Sequence, residues 1–280
     1  MKQARALAGK YPLRLVCRLL GVSRSSALYR AKEEPDLESL TVTILHLRAS
    51  FPTAGLRLMH AYLARLRVAA TRSQVRTVYV RLGLLGKRAP PRSKGTTDSR
   101  HEHPRYPNLI RDLVPSYPNQ VWVADTTELV AGGRRTFLAL VEDLFTRRVV
   151  GVSLSFANDS WLTLSALDMA LSRETPAIHH SDQGKPYASG VYTRRLLAQG
   201  VTLSMARVGC AWENGHAERL NRTFKEEEIL RSEYESLNEA KESIAAYAKH
   251  YNEKRIHMSL GYRTPNEVLQ SHRQDQPDGE

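Results

Sequence analysis

Between Gln120 and Phe156, three runs rich in β-branched and apolar residues, 121–130, 136–143 and 147–156, are separated only by Gly132-Gly133 and a turn at Thr146. Connections that short can join only antiparallel neighbours, so this stretch is expected to form three antiparallel strands. A helix is expected next over 160–173, with Trp161, Leu164, Leu167, Met169 and Leu171 on its apolar face. A short strand over 177–180, a helix over 191–199, a strand over 201–205 and a long helix from about 213 to 230 complete the pattern. Strands followed by alternating helices and strands imply an α/β core, a mixed sheet flanked by helices, over 119–230.

The chain ahead of this core reads differently. Residues 1–115 carry a net charge of +15 and residues 116–280 a net of −3, out of +12 for the 280 residues. Basic charge gathered at one end favours a polyanionic partner. Helices are expected over 11–20 and 23–29 with Gly21-Val22 between them, which makes 1–35 a helix-turn-helix. A second helical DNA-binding module is expected over 36–86, from helices at 37–49, 53–65 and 71–82, where Thr71 and Gln74 have capping-box spacing. Arg24 and Arg30 of the first module and Arg72 and Arg76 of the second are expected DNA contacts. Six prolines between Gly86 and Pro118 mark 87–118 as a basic linker. The C-terminal part, 231–280, is expected to hold one helix over 238–251 and a polar end without order after Gln270.

Composition narrows the class further. An apolar fraction of 41% suffices for a packed core, and two distant cysteines exclude a disulfide framework or a Cys-x-x-Cys zinc site. No apolar run approaches the roughly 18 residues of a membrane span. The expectation is a soluble cytoplasmic protein that meets nucleic acid.

Three carboxylates stand out. Asp125 interrupts an apolar strand, where a lone charge needs a partner or a metal. Asp182 follows the strand 177–180 directly, at the end where sheets deliver ligands. Glu218 lies on the long helix, on a face it shares with Asn214, Asn221, Arg222 and Lys225. With no companion cysteine and no histidine at helical ligand spacing, three acids form a hard oxygen site suited to Mg²⁺ or Mn²⁺. Two such ions about 4 Å apart serve in-line phosphoryl displacement, and Asn214, Arg222 and Lys225 are placed to meet DNA phosphates. Each acid also has a plainer explanation, as strand edge, turn residue or surface ion pair.

Their joint spacing is more telling, with 56 residues between Asp125 and Asp182 and 35 between Asp182 and Glu218. This pattern resembles the DDE catalytic core of the retroviral integrase superfamily. Its surroundings resemble bacterial insertion-sequence transposases of family three, second-reading-frame type. The matching text runs through Trp122–Thr127, Leu140–Arg147, His180–Gly184 with Tyr187, Glu213-Asn214, Phe224-Lys225 and Glu227, then Tyr251-Asn252 and Leu260–Pro265, spanning about residues 40–268. The resemblance implies an RNase H-like core and Mg²⁺-dependent cleavage that frees a 3′-hydroxyl, followed by attack of that hydroxyl on another phosphodiester. It assigns Asp125, Asp182 and Glu218 as metal ligands. It also implies double-stranded DNA as partner (terminal repeats and target), a homo-oligomer, an upstream-frame protein or fusion, and a nucleoid-associated place in a bacterial cytoplasm.

Departures from the family text are Glu213 for the usual Asp, Arg219 after Glu218, and a weaker match at Phe51–Arg57. Asp143 is expected to make a structural ion pair with Arg147 and Arg148. His179 and His180 are read as structural, and His101-Glu102-His103 as linker. Trp122, Trp161 and Trp212 are read as packing residues, although Trp212 precedes the catalytic helix and is placed to stack on an unpaired base. Two rival readings stay open: a DNA-binding regulator with an inactive core, and a metal-dependent nuclease without strand transfer.

Overall fold

The computed structural model describes residues 7, 10–24, 37–85 and 102–275. Packing divides the chain into two units, 1–43 and 44–280. In the first, helix α1 (Leu13–Leu19) buries Val16 and Cys17 against Leu13 and Val22. The partner helix expected over 23–29 lies almost wholly outside the described residues, as does Arg30. Helix α2 (Leu37–Ser50) runs across the division.

The second unit is built on the expected strands. Strands β1 (Val121–Ala131), β2 (Arg134–Asp143) and β3 (Val149–Ser155) pair antiparallel, while β4 (Ile178–Ser181) and β5 (Thr202–Met205) add in parallel, in the order β3-β2-β1-β4-β5. Parallel neighbours need a crossover, and helix α5 (Ser160–Leu171), the one-turn α6 (Lys185–Ala188) and α7 (Gly190–Leu197) supply it. One face of the sheet packs Trp122, Ala124, Ala139 and Val141 against Leu162, Ala166 and Leu167 of α5 and Leu196 of α7. The other packs Leu129, Leu138 and Leu140 against helices α8 (Gly215–Glu227) and α9 (Leu237–Glu253). This is the mixed sheet flanked by helices that the strand pattern implies.

Gly151 on β3 sets the approach of α5. A Cβ there would stand 2.1 Å from the Ala166 carbonyl oxygen. Gly151→Ala is therefore expected to push helix from sheet and to lower the unfolding free energy by about 1–3 kcal/mol or more in urea titrations. An unchanged midpoint would show that the helix shifts freely.

Three expected boundaries differ from what packing shows. Helices α3 (Leu56–Arg65) and α4 (Arg72–Arg81), within the module expected over 36–86, belong to the same unit as the sheet. Phe51 stacks on Tyr62 with ring centroids 3.9 Å apart, and the Ile256 amide donates to the Tyr62 hydroxyl at 3.0 Å. Arg65 pairs with Glu267, and the Thr53 hydroxyl donates to Glu227. The expected capping box is present, with Gln74 N donating to Thr71 Oγ1 and Thr71 N to Gln74 Oε1. Of the expected linker 87–118, residues 102–118 are described, and they lie on the core. Leu109 N donates to Ser204 Oγ at 2.9 Å, while Ile110 and Leu113 pack beside Val121 and Val123. Prolines there set extended backbone laid on a surface. Finally, α9 packs on the sheet, so no break follows residue 230.

The tail also corrects the sequence reading. Helix α10 (Pro265–Asp275) occupies residues expected to lack order after Gln270. Its cause is a capping box: Glu267 N donates to Thr264 Oγ1 at 3.2 Å and Thr264 N to Glu267 Oε2 at 2.8 Å, with Pro265 at the first helical position.

Candidate active site

Asp125 sits in the middle of β1, opposite Leu140, where alternation turns its side chain toward the face that receives α8. Its Oδ1 accepts the Thr126 amide at 2.8 Å and its Oδ2 accepts Asn221 Nδ2 from α8 at 2.9 Å. Asp182 follows β4, the parallel neighbour of β1, and its Oδ1 accepts the Gly184 amide at 2.9 Å. A Cβ on Gly184 would stand 2.9 Å from that same oxygen, so a side chain there would displace the Asp182 carboxylate. Glu218 lies in the first turn of α8, one helical step before Asn221. All three acids are half-buried.

Their mutual influence shows in Asp125. Burial pushes its carboxyl up to about 8, and the neighbouring charges of Asp182 and Glu218 push the same way. Hydrogen bonds from Thr126 and Asn221 oppose the rise without cancelling it. Asp125 is thus a carboxylate missing a counter-charge. Among the described residues no three of His, Cys, Asp and Glu stand close enough to enclose an ion.

The groups around the acids hold them in place. Asn214 is 4% exposed and donates Nδ2 to the Ala124 carbonyl at 3.1 Å, which corrects its reading as a DNA contact: the side chain is turned inward. Asn221, only 7% exposed, has its Nδ2 on Asp125 and its Oδ1 unpartnered. The face shared with Glu218 pointed to this residue, but the partner on β1 was not legible. Tyr187 was read only as part of a motif; its hydroxyl meets Thr126 Oγ1 at 3.0 Å, next to Asp125. Arg24, Arg72, Arg76 and Arg222 are exposed and Lys225 is partly so.

Other sequence readings resolve locally. His179 and His180 are buried, and burial lowers them to about 3 and about 4. His179 Nε2 shares a hydrogen bond with the Tyr192 hydroxyl and His180 Nδ1 with Ser204 Oγ, so both are structural as expected. Asp143 does not make the expected ion pair with Arg147 or Arg148. Its carboxylate accepts the Asn119 and Thr146 amides at 2.9 and 3.0 Å and the Thr146 hydroxyl, closing the turn after β2. His101 and its neighbours lie at the edge of the described residues, with His101 outside them. Trp122 and Trp212 part company: the first is fully buried, the second 60% exposed.

Residues 115–211 and 199–265 match two families, each described as an integrase core domain. A protein of insertion element IS407 from Burkholderia multivorans, described as an uncharacterized 31.7 kDa protein, is 30% identical over 262 residues, covering 93% of this chain and 91% of that one. The transposase for insertion sequence element IS904 from Lactococcus lactis is 34% identical over 166 residues, covering 58% of this chain and 66% of its own. Among solved structures, the HTLV-2 integrase catalytic core domain in complex with magnesium aligns at 20% identity with a TM-score of 0.45, covering 54% of this chain and 97% of that one. With a relative matched over nearly its whole length and two integrase-core matches that meet across 115–265, the chain belongs to the bacterial insertion-sequence transposases with an RNase H-like integrase core.

Proposed function

We propose that Asp125, Asp182 and Glu218 are the catalytic acids of this transposase and its ligands for divalent metal. The observation that carries this reading is Asp125: its carboxyl is raised to about 8 by burial and by two further acids converging on it from β4 and α8. Hard oxygen donors with an uncompensated negative charge suit Mg²⁺ or Mn²⁺. Bound there, two such ions would supply Lewis-acid stabilisation for both the attacking and the leaving oxygen of an in-line displacement. The protein's part is placement. Asn221 and the Thr126 amide fix both oxygens of Asp125, the Gly184 amide fixes Asp182, and Asn214 ties the start of the catalytic helix to β1.

The substrate is double-stranded DNA, the repeats at the element's ends and a target. In cleavage a water oxygen bonds to phosphorus as the bond to the 3′ oxygen breaks, leaving a 3′-hydroxyl and a 5′-phosphate; in joining that hydroxyl attacks a target phosphodiester and expels the target's 3′ oxygen. Arg222 and Lys225 extend from the helix bearing Glu218 to hold the backbone, and Arg24, Arg30, Arg72 and Arg76 are the further DNA contacts. Residues 1–35 and 36–86 serve this binding. Two DNA ends must be held together, so the working form is a homo-oligomer, with or without an upstream-frame protein or fusion. Among the described residues no helix is long and apolar enough to cross a membrane.

The test compares the full chain with Glu218→Gln on labelled duplexes carrying the repeats that flank its gene, in Mg²⁺ or Mn²⁺. Nicked and joined products are expected only with Glu218. Nicking without joining would favour a nuclease, and binding without either product a regulator.

A further inference from the structure

The parallel pairing of β1 with β4 ends at Ala124 and Ser181, one residue short of Asp125 and Asp182. Register therefore brings the two acids to one end of the ladder without fixing how their side chains stand to each other. A second connection spans that gap. On β1 the Thr126 amide donates to Asp125 Oδ1 at 2.8 Å, and after β4 the Gly184 amide donates to Asp182 Oδ1 at 2.9 Å. Tyr187 joins these two residues: its hydroxyl shares a hydrogen bond with Thr126 Oγ1 at 3.0 Å, and its amide donates to the Gly184 carbonyl at 3.0 Å. Asp125, Thr126, Tyr187, Gly184 and Asp182 thus form one continuous chain of hydrogen bonds from acid to acid.

The core places the ring of Tyr187. It is buried and meets Tyr192 of α7 edge to face with centroids 5.4 Å apart, while the Tyr192 hydroxyl shares a hydrogen bond with His179 Nε2 on β4 at 3.0 Å. Alternation turns Thr126 to this face of the sheet, away from the face that carries Asp125. Phenylalanine would fill the same space with no hydroxyl to bury, so packing alone does not account for the polar atom. Burial, with Tyr192, Asp125 and Asp182 nearby, holds that hydroxyl well above its ordinary value, and it stays protonated through neutral pH.

We infer that Tyr187 is a positioning residue for the acid pair: by tying Thr126 to Gly184 it limits how far Asp125 and Asp182 can part, so that both carboxylates remain available to one divalent ion. This rests on the proposed role of those acids. Without metal the two carboxylates repel each other, as the upward push of Asp182 on Asp125 records. A tie that resists the repulsion leaves less rearrangement to be done when an ion binds, and the affinity gains accordingly. Removing the hydroxyl cuts the chain at Thr126. The ring still packs on Tyr192, so the fold keeps its core while residues 182–187 lose their hold on β1.

The experiment uses the full chain, native and with Tyr187→Phe, Thr126→Val or both, and Asp125→Asn alongside. Mn²⁺ binding is measured by titration calorimetry without DNA, and cleavage of duplexes carrying the flanking repeat is followed against Mn²⁺ concentration. Tyr187→Phe and Thr126→Val are each expected to raise the half-saturating Mn²⁺ about tenfold, with a cleavage deficit that shrinks as the metal saturates. Because both cut the same hydrogen bond, the double variant is expected to be no worse than either single one. A purely structural tyrosine would lower the thermal midpoint and leave the Mn²⁺ response unmoved. Native half-saturation in Tyr187→Phe overturns the inference, and so does a double variant whose loss is the product of the two single losses. If Asp125→Asn binds Mn²⁺ as the native chain does, the acid assignment fails and the inference with it; if it loses binding while Tyr187→Phe keeps it, only the positioning role fails.

Discussion

Asp125→Asn is expected to abolish strand cleavage and joining, by about a thousandfold or more, while raising the stability of the metal-free protein at alkaline pH. The loss follows, on the proposed role of the acids, from removing one charge from a site that would stabilise a phosphoryl displacement electrostatically. The gain follows from linkage. The carboxyl of Asp125 is raised from 3.8 to about 8 in the folded protein, first by burial and then by Asp182. Between those values the folded state keeps a proton that the unfolded state has released, so stability falls as pH rises through that window. Above about pH 8 the full penalty is present, and an amide in place of the carboxylate removes it. Asn also keeps an oxygen for the Thr126 amide. Thermal midpoints are therefore expected to separate the two proteins more widely at pH 9 than at pH 5. Added Mn²⁺ or Mg²⁺ is expected to raise the midpoint of the native chain and to leave the variant nearly unmoved. Cleavage at the native rate by Asp125→Asn would sink the assignment, and an equal metal response in both proteins would place the ions elsewhere.

Arg255→Ala is expected to be the most damaging substitution away from the acids. Arg255 meets both carboxylate oxygens of Glu227 through Nε and Nη2, at 2.9–3.2 Å, with side chains only 15% and 4% exposed. The same carboxylate accepts the Tyr247 hydroxyl at 2.7 Å and the Thr53 hydroxyl. One buried charge thus joins the end of α8, α9, the segment after it and the loop ahead of α3. Burial alone would raise Glu227, but the Arg255 guanidinium holds it below the ordinary value. Removing Arg255 leaves that charge buried and unpaired, at a cost of about 3–5 kcal/mol in chemical denaturation. Replacing both residues with methionine is expected to recover part of the loss, because no charge is then stranded. In the native chain this pair stabilises fully above the unfolded carboxyl value of 4.5 and is lost as pH falls through the lower folded value. A loss below 1 kcal/mol for Arg255→Ala would show that water reaches Glu227.

How much of this was legible beforehand depends on the range over which each feature is decided. The strands 121–130 and 136–143 could be read within two residues, because alternation and the Gly132-Gly133 turn act within a few residues. The Thr71–Gln74 box could be read for the same reason. The Thr264–Glu267 box carried the same local signal, masked by the polar residues that follow it. Asn214 was misassigned because helical periodicity gives a face but not what lies opposite it; the Ala124 carbonyl does that, 90 residues away. Asp143 was misassigned because adjacency to Arg147 and Arg148 suggested charge pairing, whereas the turn amides reached the carboxylate first.

By itself the sequence determined the α/β alternation, the three acids and their order along the chain, since periodicity, turn residues and motif spacing are one-dimensional properties. Only the tertiary structure decided that Asn221 holds Asp125, that Trp212 is bare, and that residues 44–85 and 102–118 are packed into the core unit rather than set apart from it. Those outcomes depend on which buried polar groups find partners across long stretches of chain, and no local pattern encodes such a pairing.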